Sequence, residues 1–287
     1  MTPDLLSVVV RALGFVSLFQ AVGAALFLAM FARGLERSVE RIRRLARIAA
    51  AAGVALTLAH LALEPARMAG DFDGLWDHGL QQLAVESGSG ASQLLQAAGL
   101  LVMLLAPWRS TGAGRRWVLG GGLLALGAFL LTGHTSAHPL RAALAPLLAL
   151  HLLVVAFWFG SLGPLVLVSR VESNALAAAV LRRFSVLAGW LVPLILFAGL
   201  SMGWILAGSL GVLRRPYGEL LLAKLVGFAL LLTLAAANRW RFVPALAEGG
   251  NGSSLRTAIA MEYGLIVAIL ATTAVLTAYF SPADSSL

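Results

Sequence analysis

Charge is scarce in this sequence. Of 287 residues only 12% are Asp, Glu, Lys or Arg, against about a quarter in a soluble chain of ordinary composition. So little polar surface excludes a water-soluble domain. Cysteine is absent altogether, which rules out disulfides and every thiolate metal site. Nucleotide-binding and hydrolytic signatures are missing as well. The glycine run Gly120-Gly121-Gly122 sits inside an apolar stretch rather than on a strand-to-helix turn, so it is no phosphate loop. No nucleophile has a base at a readable spacing, so no enzyme is expected. The start is not basic, and the apolar stretch Val8–Phe31 is too long for a secretory leader.

What is present is apolar residues in long blocks. They make up 60% of the chain, with a mean hydropathy of +0.89. A block of about 20 residues rising 1.5 Å each matches the ~30 Å hydrocarbon core of a bilayer. Lipid offers no partner to a free backbone N–H or C=O, so each block is expected to be a helix. Such blocks lie near Leu5–Phe31, Ala46–Leu63, Ser92–Ala106, Trp117–Gly133, Ala143–Val168, Phe184–Ser209, Tyr217–Ala237 and Thr257–Phe280. The expected fold is all-α: one transmembrane domain over 1–287 with about eight spans. Ser87-Gly88-Ser89-Gly90 and the run 249–254 read as flexible connectors.

The net charge of +8 does not point to nucleic acid, because the arginines fall in short loops. Loops after the odd-numbered spans hold Arg33, Arg37, Arg41, Arg43, Arg44, Arg47, Arg109, Arg115, Arg116, Arg170, Arg182, Arg183, Arg239, Arg241 and Arg256. The other side holds Arg11, Arg67, Arg141, Arg214 and Arg215, a ratio of 15 to 5. The positive-inside rule puts the first set in the cytoplasm and both termini outside, on the periplasmic side. The outer loop between spans two and three is acidic, with Glu64, Asp71, Asp73, Asp77 and Glu86. Its Phe72 and Trp76 suit a short segment at the interface.

All five histidines fall on the outer side or in the outer half of a span: His60, His78, His134, His138 and His151. Imidazole ligates copper, zinc and iron without thiolate help. Gly53, Thr57, His60 and Glu64 recur at steps of four, three and four, one face of span two. A face with ionisable groups must look into the bundle or onto water. Glu64 is placed to ligate, or to orient His60. Gly120, Gly127 and His134 share a face of span four, where the glycines predict a close helix approach. His134 and His138 have a chelating spacing if a helix continues between them, but Gly133 and Pro139 work against that. His78 reads as a solvated loop residue. Met103 and Met202 read as packing. Trp108, Trp117 and Trp240 read as interfacial. Lys224, on a face with Tyr217 and Asn238, and Glu262, a partner for an inner arginine, are candidates for a polar path.

The run Thr132-Gly133-His134, followed by His151-Leu152-Leu153-Val154-Val155-Ala156-Phe157-Trp158-Phe159-Gly160-Ser161-Leu162-Gly163-Pro164, resembles the GH…HLLAAxxWxGGL pattern of the copper resistance protein D (CopD) family. Arg183-Phe184-Ser185, Pro216-Tyr217-Gly218 before Lys224, Asn238-Arg239 and Glu262 follow in the family's order. The likeness covers 132–280; residues 1–131 match in span number and hydrophobicity. Gly160-Ser161-Leu162-Gly163 departs from the usual paired glycine, and no methionine-rich outer loop is seen. The resemblance implies a bacterial inner-membrane protein associated with copper uptake, supplied by a periplasmic CopC-type partner. His134 and His151 carry over as functional positions, and Lys224 and Glu262 as family-like positions without an assigned role.

The expected function is therefore copper transport or acquisition, with His60, Glu64, His134, His138 and His151 as metal ligands. Copper is Cu(I) or Cu(II), and zinc is not excluded by the ligand types. Neutral imidazole is required, so capture is expected to weaken as pH falls below about 6. Two alternatives stand beside it. One is a b-type haem electron-transfer protein using His60 and His151. The other is a copper-delivery partner that moves no ion itself.

Overall fold

A computed structural model describes residues 2–108, 112–207 and 216–279, without the side chains of His134, Ala207, Pro216 and Tyr217. Arg109, Arg214, Arg215 and Phe280, and the side-chain readings of His134 and Tyr217, lie outside the described residues. All regular structure among the described residues is helical. The helices are α1 (Pro3–Phe31), α2 (Val39–Ala69), α3 (His78–Glu86), α4 (Gly88–Leu105), α5 (Ala113–Gly127), α6 (His134–Ala137), α7 (Arg141–Val171), α8 (Asn174–Ala207), α9 (Pro216–Ala237), α10 (Val243–Ala247) and α11 (Ser253–Tyr279). Seven of the helical stretches described are long and apolar enough to cross a membrane. The chain is thus an all-α membrane bundle.

Several helices outrun the apolar blocks that announce them. α2 begins at Val39 and takes in Arg41, Arg43 and Arg44 before the apolar run that starts at Ala46. A helix keeps its hydrogen bonds on leaving the hydrocarbon layer, so hydropathy marks the membrane and not the helix end. The block expected as span four forms α5 with a 3₁₀ turn, Ala128–Leu131, added, and is not one of those seven stretches. Its 15 and 4 residues together rise about 30 Å at the usual increments.

Small residues set the close crossings. Gly23 of α1 and Gly160 of α7 meet backbone to backbone: a Cβ on Gly160 would lie 2.5 Å from Gly23 Cα and from Phe19 O. Beside them Gln20 Nε2 donates to Gly160 O at 2.9 Å. The α4–α5 crossing uses Gly99 against Gly121, with Met103 packed on Gly121 and Gly122. The expected contact glycines, Gly120 and Gly127, have open space around them. The approach runs one residue round the helix, because Gly121 and Ala125, four apart, form the small-residue ridge. The segment Ser87–Gly90 is no loose connector either. Ser87 caps α4, its Oγ accepting from Gly90 N at 2.9 Å, and Gly90 sits tight on the backbone of Ala84 and Val85. Trp108 is buried, its indole donating to Met103 O at 2.7 Å, rather than lying in an interfacial belt.

On the arginine-rich face, Glu172 closes α7 and fastens the α1–α2 loop. One carboxylate oxygen accepts from Ser38 Oγ (2.6 Å) and from the N–H groups of Glu36 (3.2 Å), Arg37 (2.9 Å) and Ser38 (2.8 Å). Burial pushes this carboxyl up, but the hydrogen bonds from Ser38, Arg37 and Glu36 outweigh it and hold the group below its ordinary value. A depressed folded-state pKa contributes stability above the unfolded value, about 4.3, that is lost as pH falls through the folded value. Glu172→Gln should cost about 1–3 kcal/mol at neutral pH. It should also flatten the acid limb of a plot of Tm against pH in detergent. An unchanged acid limb would remove Glu172 as its source.

Candidate metal site

The residues of the span-two stripe lie buried or half-buried on the inward side of α2. A Cβ on Gly53 would reach Leu100 of α4 at 2.9 Å, so α4 packs closely at that level. Four and seven positions further along α2, Thr57 and His60 line a cavity of about 280 Å³. Its remaining polar lining is Arg11, Glu64, Arg67, Ser89, Ser92, Gln93, Gln96, Thr132 and Thr277.

His60 is 7% exposed, and its Nδ1 lies 2.8 Å from Gln93 Oε1. Gln93 is oriented by its own amide, whose Nε2 donates to Ser89 Oγ at 3.1 Å. Gln93 therefore presents an acceptor, His60 Nδ1 carries the proton, and Nε2 keeps its lone pair. That tautomer is the one a metal-binding imidazole needs. Glu64 Oε1 lies 3.8 Å from His60 Nδ1, but the carboxylate is gripped by Arg67 Nη1 at 2.9 and 3.1 Å. Arg67 also reaches Asp4 at 3.3 Å, tying α2 to the start of α1. Arg11 stands over the Phe15 ring at 5.5 Å. Counting lining charges, Arg11 and Arg67 against Glu64, the cavity is positive by one.

The other predicted residues are spread out. α6 ends at Ala137, so no helix joins His134 to His138. His138 Nδ1 instead accepts from Leu140 N at 3.0 Å, capping the turn into α7. Thr132, on the cavity wall, is two residues from His134. His151 is not among the residues lining this cavity. It faces α8, where a Cβ on Gly199 would sit 3.6 Å from its ring, and its Nδ1 is buried without a partner. Among the described residues no three His, Asp or Glu side chains gather as a metal-ligand cluster. Glu262 pairs with no arginine among the described residues; Asn238 Nδ2 donates to it. In the outer loop, Asp71 accepts from Asp73 N and Gly74 N, and Asp77 from Gly79 N and Leu80 N. Those two acids are committed to turns. Phe72, Trp76, Leu83 and Val85 are exposed on the same segment, as suits an interfacial helix.

The polar wall contributed by α4 is absent from the sequence reading, although its signal is there. Ser89, Ser92, Gln93 and Gln96 recur at steps of three, one and three, one face of a helix in an otherwise apolar span.

Residues 178–276 match the family described as copper resistance protein D. Residues 1–139 match the copper resistance protein D-like N-terminal domain. The N-terminal likeness thus extends beyond the span number and hydrophobicity that are legible by eye. Residues 140–177, with His151, lie between the two matches. The chain is 29% identical over 293 residues to copper transport protein CutJ of Bacillus subtilis (strain 168), covering 96% of this chain and 52% of that protein. It is 28% identical over 292 residues to copper resistance protein D of Pseudomonas syringae pv. tomato, covering 93% and 94%. The chain therefore spans about half the length of the Bacillus relative and nearly all of the Pseudomonas one. No solved structure matches.

Proposed function

We propose that this chain, which belongs to the copper resistance protein D family, takes copper from the periplasmic face and passes it inward. It is a multi-pass protein of the bacterial inner membrane, and its family handles copper resistance and transport rather than a known enzymatic reaction. The observation that carries the proposal is His60. It is a buried imidazole in a polar cavity, with Nδ1 occupied by Gln93 and Nε2 free to ligate. With Glu64 held by Arg67, the ligands on offer are neutral nitrogens, which suit the single charge of Cu(I). His134, two residues beyond Thr132, is the second ligand we assign, and His138 is a neighbouring capture group on the same turn. Glu64 joins only by leaving Arg67, so its resting role is to hold that guanidinium and orient His60. His151, which packs against α8 outside this cavity, receives the ion next. A soluble CopC-type periplasmic protein is the partner we expect to load the cavity.

Eight crossings with both termini outside are part of the same proposal. α1 and α7 run parallel, since Gln20 meets Gly160 and, beyond the C-terminal ends of both helices, Ser38 of the α1–α2 loop meets Glu172. Two parallel helices need an odd number of passes between them, which supports counting α5 as a pass together with α2 and α4. A cysteine-free sequence makes the test clean. An impermeant maleimide should label Asp73→Cys in intact cells and Asn251→Cys only after permeabilisation. The reverse pattern would invert the proposal.

Elemental analysis after equilibration with copper, zinc and a chelator should find retained copper and no stoichiometric zinc. His60 and His151 do not line one common cavity, so no haem band is expected in the visible spectrum. A Soret band at one haem per chain would replace copper handling with electron transfer.

A further inference from the structure

A second polar place lies deeper, in the C-terminal half. A crevice of about 240 Å³ runs between α7, α8, α9 and α11 and is walled mostly by aliphatic and aromatic side chains. Glu262 stands in it, 3% exposed, nine residues into α11, which is about 13 Å from the helix start. Asn238 lies against it, 8% exposed. It opens the π-helical turn Asn238–Phe242 that follows α9. Such turns recur at functional positions, because the extra residue re-aims the side chains around it. Asn238 Nδ2 donates to Glu262 Oε1, and Trp158 lines the same crevice.

Two features are left without a partner. The first is the charge of the carboxyl. The other charged residue lining the crevice is Arg239, and its guanidinium donates to Ser185 O at 3.0 Å rather than to Glu262. The remaining lining residues contributed by α7, α8, α9 and α11 carry no titratable group. Tyr263, next along α11, packs on Phe159 instead. Lys224 lies fourteen residues back along α9, about 21 Å away at the helical rise. A lone carboxylate inside a membrane bundle is costly and marks an ion or proton pathway. The second is Asn238 Oδ1, buried with no partner. A carboxamide serves both forms of a neighbouring carboxyl: it donates to a carboxylate through Nδ2 and, turned over, accepts from an acid through Oδ1.

Beside the crevice, α7 and α9 meet through Trp158 and Phe228, whose rings lie edge-on at 6.2 Å. Seven residues earlier on α7 stands His151 with its orphaned Nδ1, and four residues before Phe228 on α9 stands Lys224.

We propose that Glu262, paired with Asn238, is a proton-exchange site for ion movement through this crevice. As a monovalent cation reaches the inner end, Glu262 releases its proton to water and the carboxylate faces the cation. When the cation leaves toward the cytoplasm, a proton takes its place. One positive charge replaces another, so the buried site stays neutral in both states. This inference rests on the copper-uptake reading for the identity of the cation.

The test is infrared difference spectroscopy of the whole protein in lipid bilayers, with and without copper(I) kept reduced by ascorbate. Copper should remove the C=O stretch of a protonated carboxyl in the parent protein. The same loss, with a shifted band, should appear in Glu262→Asp and be at least tenfold smaller in Glu262→Gln. In proteoliposomes, an internal pH dye should report proton movement accompanying copper in the parent protein and not in Glu262→Gln. The proposal is overturned if copper binds and the carboxyl band is undisturbed, or if Glu262→Gln retains the full signal. A parent protein that binds no copper at all would overturn the copper reading itself, and this inference with it. Because Glu262→Asp keeps the carboxyl, its behaviour separates loss of the proton site from loss of the fold.

Discussion

Replacing His60 with alanine is expected to weaken copper(I) binding by about a hundredfold or more, equivalent to ~3 kcal/mol. The assay is competition against a chromophoric chelator, with the protein in nanodiscs. The loss should be large because the ion gives up a preoriented nitrogen: among the described residues, the other polar groups lining the cavity are guanidiniums, amides, hydroxyls and a carboxylate already held by Arg67. Gln93→Leu should show the intermediate result. The imidazole remains, but its Nδ1 loses the acceptor that fixes the tautomer, a change that typically costs 10–100-fold. Equal effects of the two variants would mean that Gln93 acts by packing. Unchanged affinity in His60→Ala, in protein that still elutes as a single species, would dismiss the cavity as the copper site.

The other large effect concerns the fold. Gly160→Ala should destabilise the bundle by about 3 kcal/mol or more, at the upper end of overpacking penalties, and Gly160→Leu should abolish accumulation in the membrane. The reason is local and steric. At this level α1 and α7 touch through backbone, and even a methyl group would fall on Gly23 Cα and Phe19 O. Neither neighbour is the end of a side chain that swings aside. Gly120→Ala and Gly127→Ala are the matched controls. Both have free space, so the gain in helix propensity should leave Tm equal or slightly higher. Thermal unfolding in detergent, followed by loss of helicity, separates the two groups. A Gly160→Ala variant as stable as Gly127→Ala would show that the helices slide apart without cost.

The histidine geography illustrates how far a linear reading goes. The stripe of Gly53, Thr57, His60 and Glu64 identifies an inward face of α2 because helical periodicity alone puts four such positions on one side. It says nothing about what fills the fourth side of the imidazole. Gln93, thirty-three residues away, does so because α4 packs against α2 at that level. In the same way, Glu64 looks like a free ligand on paper, yet Arg67 one turn later neutralises it and leaves the cavity positive. Glu262 invites pairing with Arg256 or another inner arginine. A π turn supplies Asn238 instead, and that turn has no signature in composition.

The chain's amino acids by themselves determined that it lives in a bilayer, that its spans are helices, and where arginine collects. These follow from single-residue transfer energies and backbone hydrogen bonding, which need no knowledge of neighbours. Which helices touch was decided only in three dimensions. Gly23 and Gly160 become a crossing, Ser92 and Gln96 become a cavity wall, and His60 lines the cavity while His151 packs against α8, because packing joins segments far apart in the chain. Lipid solvates every apolar helix face about equally well, so hydrophobicity cannot choose partners. Shape and a few buried hydrogen bonds do.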